Sequence, residues 1–256
     1  MLVRDGAAGP EVFLQRRVGA MAFAAGMTVF PGGGVDPSDG TAEIEWAGPE
    51  PAWWAERFAT TEPRAKALVC AAVRETFEEC GVLLAGPTPG TVVSDTAGYH
   101  DARGRLERRE VSLAAFLAEA NLVLRADLLR PWANWITPEL EPRRYDTRFF
   151  VAVLPEGQLA DGATSEAAEV QWRTPADALD RWRAGTDILL PPTWSQLDVL
   201  DRFGSTADIF AAEVAIDPIM PELTEVDGGY VLAFPDSARY FADLPSDSRL
   251  KGSARN

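Results

Sequence analysis

The residues best suited to chemistry stand in one short run, Arg74-Glu75-Thr76-Phe77-Glu78-Glu79-Cys80-Gly81-Val82. On a helix, which the flanking stretch Leu68–Val73 favours, a turn of 100° per residue puts Glu75, Glu78 and Glu79 within an arc of about 100°. Three carboxylates this close repel one another unless a cation sits among them. The opposite face, Val69, Val73, Phe77 and Cys80, is apolar and can be buried. One side then anchors the helix while the other displays acid. Hard divalent cations take oxygen ligands of this kind, and Mg²⁺ held by a few carboxylates completes its shell with water and substrate phosphate. The plainer alternative is a solvated acidic face, and the context argues against it. Upstream, Phe30-Pro31-Gly32-Gly33-Gly34 reads as a strand end running into a turn that glycines make easily. Downstream, Gly81 stands where a helix closes with a positive φ.

The run resembles the second half of the Nudix box, G-x5-E-x7-R-E-U-x-E-E-x-G-U with U bulky and aliphatic, and Phe30-Pro31-Gly32-Gly33 resembles the strand end that opens it. Thr76 stands in for the usual aliphatic residue. Gly33 and Arg74 lie much further apart than the pattern has them. Asp36 and Asp39 match the acidic positions just after the glycines, while the position eight before Arg74 is Lys66. Residues 41–64, rich in Trp, Pro and Glu, therefore read as an insertion within the box, which leaves the first glutamate of the motif unassigned.

An interrupted box resembles the relatives of peroxisomal coenzyme A diphosphatase. Arg144–Pro155 is similar to the central strand of that branch. Ser165-Glu166, Glu169, Gln171-Trp172 and Leu190–Trp194 are similar to its later loop, strand and helix start. The resemblance implies an α/β fold, a Nudix-type α/β/α sandwich with a mixed sheet, here with a helical insertion and a C-terminal extension. It implies a pyrophosphohydrolase that uses Mg²⁺ or Mn²⁺ to cleave CoA or acyl-CoA into 3′,5′-ADP and a phosphopantetheine product. Coenzyme A enzymes of the wider family often carry an arginine four residues before the glycine preceding FPGG; here that glycine is Gly26 and the arginine's place holds Ala22. NADH, ADP-ribose or a diadenosine polyphosphate is thus an alternative substrate. A catalytically silent module that binds a nucleotide is the alternative from another class.

Metal ions offset the charge of a diphosphate and acidify a bound water. Glu78 and Glu79 are the expected ligands, and Glu75 either shares a metal or deprotonates the attacking water. By the resemblance, the carbonyl of Gly33 is a further ligand and the loop bearing Glu166 and Glu169 adds a carboxylate to the metals or the base. Arg74 either pairs with and orients the glutamates or makes an ordinary helix salt bridge. Arg16 and Arg17 end a strand beside the glycine turn and are candidate phosphate clamps. Asp146 and Arg148 stand at a strand start and either face the site or pair across strands. Trp53, Trp54, Trp132 and Trp135 can stack an adenine or fill a core. His100, the sole histidine, reads as a loop residue without a catalytic role.

These groups need elements to hold them. Met1–Arg4 and Glu11–Arg16 read as strands about a turn, and Met27–Phe30 as the strand entering the glycines. Pro51–Phe58 and Pro63–Cys80 read as helices, as do Val111–Ala120, Pro175–Arg183 and Pro192–Phe203. Trp132–Thr137, Arg148–Leu154 and Val170–Trp172 read as strands. Leu223–Val226 and Tyr230–Phe234 flank Asp227-Gly228-Gly229, a hairpin signal. The domain expectation is 1–203 for the hydrolase domain, with 204–256 a C-terminal extension packed on it and the last dozen residues frayed.

A net charge of −15, with only two lysines, Lys66 and Lys251, argues against a nucleic-acid partner. A small phosphoanhydride remains open to it, because a local metal cluster acts within a field screened over ~8 Å. No stretch approaches the ~20 apolar residues of a membrane span. No signal-peptide pattern or peroxisomal tripeptide is seen, which makes the cytoplasm the expected location. Cys70 and Cys80, ten residues apart on one helix, cannot pair and are expected to be reduced packing residues. The tryptophan-bearing insertion is a candidate lid or homodimer surface.

Overall fold

The computed structural model describes residues 1–19, 24–41, 43–139, 141–226 and 229–245. Ala22, the expected turn residues Asp227 and Gly228, and residues 246–256 lie outside the described residues. Strands β1 (Leu2–Gly6) and β2 (Gly9–Arg17) form an antiparallel hairpin, and β3 (Thr28–Val29) pairs with β2 beyond the end of β1. Then come α1 (Pro37–Thr41), β4 (Trp46–Ala47), α2 (Pro51–Arg57), α3 (Glu62–Cys80), β5 (Ala85–Gly86), α4 (His100–Glu107), α5 (Leu113–Glu119) and β6 (Val123–Arg125). Strands β7 (Leu129–Ile136), β8 (Asp146–Val153) and β9 (Ala167–Arg173) follow. The chain continues through α6 (Pro175–Arg183), α7 (Pro191–Leu200), α8 (Thr206–Ala211), β10 (Pro218–Ile219), β11 (Glu222–Val226), β12 (Gly229–Ala233) and α9 (Ser237–Asp243).

The main sheet runs β10-β7-β8-β1-β2, with β9 on the far edge of β2. It is mixed: β1 and β8 are parallel, as are β10 and β7, and the other pairs are antiparallel. Period-two alternation assigns each strand's side chains to two separate cores. Leu2, Phe13, Phe150 and Ala152 face one core with α2, α3 and α5. Val3, Val12, Leu14 and Val151 face the other with α6, α7 and Tyr240 of α9. Helices on both faces of one mixed sheet make the expected α/β/α sandwich.

α3 carries the acidic run. Thr61 caps it in extended conformation with proline in the first turn, and Gly81 ends it at φ 72°. Val69, Val73, Phe77 and Cys80 are all buried, and Phe77 stacks on Phe116 of α5 with centroids 5.5 Å apart. Thr76 returns its hydroxyl to the Ala72 carbonyl at 2.7 Å, so the polar substitution is satisfied within the helix.

Residues 43–64 contribute Trp54, Ala55 and Phe58 to the core. Trp54 and Phe58 are fully buried against Phe150, and β4 joins β6 and β5 in a small second sheet. Trp132 and Trp135 are also buried, on the opposite sheet face, and Trp53 packs partly buried against the core. Burial assigns Trp54, Trp132 and Trp135 to packing rather than to adenine stacking. Chain after residue 203 is stitched to the same sheet. β10 adds beside β7, Thr206 donates through its N–H and hydroxyl to Asp5, and Tyr240 stacks on Trp182. His100 opens α4 instead of sitting in a loop.

Candidate active site

Arg74 sits at the centre of the acidic group. It is buried, and its Nη1 donates to Glu75 at 2.7 Å and to Glu78 at 3.2 Å. Nη2 donates to the Gly34 carbonyl at 2.7 Å and to Asp39 at 3.0 Å. Asp39, carried by α1, has a side chain with no exposed surface. It stands six residues after Gly33, the place the box pattern gives its first glutamate. α1 packs back onto α3, which brings Asp39 to Arg74 despite the intervening residues 41–64.

Glu79 is held differently. Its Oε2 accepts from the Gln15 amide at 2.7 Å and from the Gly32 N–H at 2.8 Å. Gln15 was missed by sequence reasoning. Its signal was present: on β2 it shares a face with Phe13, so a polar side chain was pointing into a core. Gly33 lies against Glu75, where an added Cβ would come within 2.5 Å of the carboxylate.

Three carboxylates, Asp39, Glu75 and Glu78, therefore share one guanidinium, and Glu79 stands on the same helix as Glu75 and Glu78, held by Gln15 and the Gly32 N–H. Burial pushes Glu78 and Glu79 up to about 7, and raises Glu75 as well. Burial disfavours the Arg74 cation, yet its hydrogen bond to Asp39 and the charges of Glu75, Asp39 and Glu78 outweigh that and raise its pKa. Glu78 Oε1 is buried with no hydrogen-bond partner. An excess of buried negative charge and an orphaned carboxylate oxygen are what a divalent cation would satisfy. As they stand, no three acidic, histidine or cysteine side chains among the described residues converge as a metal cage, since Glu75 and Glu78 are turned to Arg74.

Glu166 is brought to this group. Its negative charge contributes to raising both Glu75 and Glu79, and it pairs with Arg17 at 2.9 Å. Arg17 Nε is buried without a partner. Arg16 is not brought there. It alternates to the other face of β2, pairs with Glu169 at 2.9 Å and lines a small cavity with Arg173 and Asp187. Arg148 shares the α3 face of the sheet but ion-pairs with Asp146, which also meets Arg64 at 3.4 Å near the start of α3. Its Nε too is buried and unpartnered.

Comparison with known proteins bears on the family and the fold. The model of the NUDT19 Nudix domain matches residues 49–200. The chain is 23% identical to an acyl-coenzyme A diphosphatase NUDT19 of Xenopus laevis over 94% of this chain and 73% of that protein. It is 28% identical to the Homo sapiens protein of the same name over 72% of this chain, spanning about half of the human protein (53%). Among solved structures, a NUDIX hydrolase from Alicyclobacillus acidocaldarius superposes with a TM-score of 0.64 at 29% identity, covering 84% of this chain and 94% of that one. A matched family model over more than half the chain, on an α/β/α sandwich with its acidic helix beside a glycine turn, makes this chain a Nudix hydrolase of the NUDT19 Nudix domain family.

Proposed function

We propose that the protein hydrolyses the diphosphate bridge of coenzyme A or an acyl-coenzyme A. Water adds to one phosphorus, the P–O–P bond breaks, and 3′,5′-ADP and an (acyl)phosphopantetheine leave. The observation that carries this reading is the group of three carboxylates on one guanidinium, with Glu79 beside Glu78 on the same helix and Glu78 Oε1 buried and unpaired. The NUDT19 relatives, named acyl-coenzyme A diphosphatases, supply the substrate class.

Mg²⁺ or Mn²⁺ would be held by Glu75, Glu78, Glu79 and the Gly33 carbonyl. Bound there, it would neutralise diphosphate charge and lower the pKa of a water. Arg74 orients Glu75 and Glu78. Gln15 and the Gly32 N–H fix the direction of Glu79. Either Glu75 or Glu166 takes the proton from the attacking water. Arg17 and Arg148, each with a free buried Nε–H, are the proposed contacts to substrate phosphates. The two free buried thiols, Cys70 and Cys80, fit a reducing compartment such as the cytoplasm. Ala22 in place of the arginine favours a second reading in which the substrate is NADH, ADP-ribose or a diadenosine polyphosphate.

The test is turnover of CoA, acetyl-CoA, NADH, ADP-ribose and diadenosine tetraphosphate side by side with Mn²⁺. Preference for the two coenzyme A compounds is expected. Glu79→Gln should lower kcat by about 10²–10³-fold, the scale of losing a preorganised charge at the reacting centre. Unchanged turnover would overturn the metal assignment, and turnover of another dinucleotide alone would overturn the substrate.

A further inference from the structure

The loop that carries Glu166 runs from residue 154 to 166, between β8 and β9. A carboxylate at the end of a loop this long needs something to set its position. Three contacts do so at the C-terminal end of α3. Arg103 of α4, with a side chain only 6% exposed, donates through Nε to the Glu78 carbonyl at 3.0 Å. Its Nη1 donates to both oxygens of Asp161 at 2.7 and 2.9 Å. The Asp161 N–H in turn donates to the Cys80 carbonyl at 2.9 Å.

The same face of α4 holds the loop a second time. Glu107, four residues after Arg103, accepts from the Ser165 hydroxyl at 3.0 Å and the Ser165 N–H at 3.3 Å. Between the two, the Asp161 carboxylate accepts from the Ala163 N–H at 2.9 Å. Gly81 makes room for the arrangement: a Cβ there would lie 2.8 Å from Arg103 Nη1 and 3.0 Å from Asp161.

We propose that Arg103, through Asp161, is a positioning residue that sets Glu166 relative to the carboxylates of α3. This rests on the proposed role of Glu166. A pair whose carboxylate is half exposed adds little to stability on its own. Its value is geometric: one guanidinium ties the last turn of the acidic helix to the loop bearing the remaining carboxylate. Its cation also meets the carbonyl-rich end of α3, where positive charge is favoured, and neutralises Asp161 so that it does not add to the acidic group.

The test compares Asp161→Asn, Arg103→Gln and Glu166→Gln, singly and combined, on acetyl-CoA with Mn²⁺. Asp161 is half exposed, so Asp161→Asn is the variant expected to fold should Arg103→Gln fail to. Asp161→Asn should lower kcat by about 10-fold or more with KM little changed, the cost of misplacing a reacting group. Hydrogen exchange at residues 162–168 should accelerate, and adding Asp161→Asn to Glu166→Gln should lower kcat no further. Unchanged kcat and exchange in Asp161→Asn, or losses that multiply with Glu166→Gln, would overturn the inference. If Glu166→Gln alone leaves kcat unchanged, the role of Glu166 falls and this inference with it, while exchange still reports whether the clamp holds the loop.

Discussion

Gly33 and Glu75 are packed so closely that the glycine has no room for a side chain. A Cβ would lie 2.5 Å from Glu75 Oε2 and 2.6 Å from its carboxyl carbon. The obstructing atoms belong to the tip of a flexible side chain, so an alanine there displaces the carboxylate rather than the backbone. Gly33→Ala should therefore fold, with Tm within ~2 °C of the parent, and lose about 10²-fold in kcat, the scale of an ångström-sized misplacement. Steady-state kinetics beside a melting curve decides it. Full activity would show that Glu75 does not have to be where Gly33 keeps it.

The buried glutamates give a pH signature whose sign follows from proton linkage. Glu78 and Glu79 rise from the ordinary 4.5 to about 7 because burial disfavours their charge. Between those values the folded protein holds protons that the unfolded chain has released. Metal-free stability therefore falls as pH climbs from about 4.5 to about 7, and levels off above. Divalent metal binds the ionised forms, so its stabilisation should grow over the same interval. Melting curves from pH 4.5 to 8 with EDTA and with Mn²⁺ measure both slopes. A Glu78→Gln/Glu79→Gln variant with the same slopes as the parent would refute the assignment.

Tyr240 tests whether the chain after residue 203 is needed by the fold. It is 1% exposed, donates to the Leu189 carbonyl at 2.9 Å and packs against Trp182 and Trp194. Tyr240→Ala should cost about 3–5 kcal/mol, a fall in Tm on the order of 10 °C for a chain of this size. The kcat of the folded fraction should hold, since this core lies on the sheet face opposite α3. A negligible change in Tm would mean that α9 is only laid on the surface.

The acidic helix and its two glycine boundaries were legible because their chemistry is local. A three-to-four-residue spacing decides which side chains share a helical face, and Val69, Val73, Phe77 and Cys80 are buried as that spacing requires. The α/β/α layering was legible for the same reason, from strands of alternating polarity between capped helices. What the carboxylates touch was not local. Asp39 meets Arg74 across 35 positions, Gln15 meets Glu79 across 64, and Arg103 meets Asp161 across 58. Arg16 and Arg17, adjacent in the chain, part to opposite faces of the sheet, and only the pairing of β2 with β9 decides which one stands by Glu166. Sequence by itself determined which groups could do the chemistry. Tertiary structure decided their partners, because a strand's register and a helix's docking are set by burial summed over the whole sheet, and no short window of residues contains that sum.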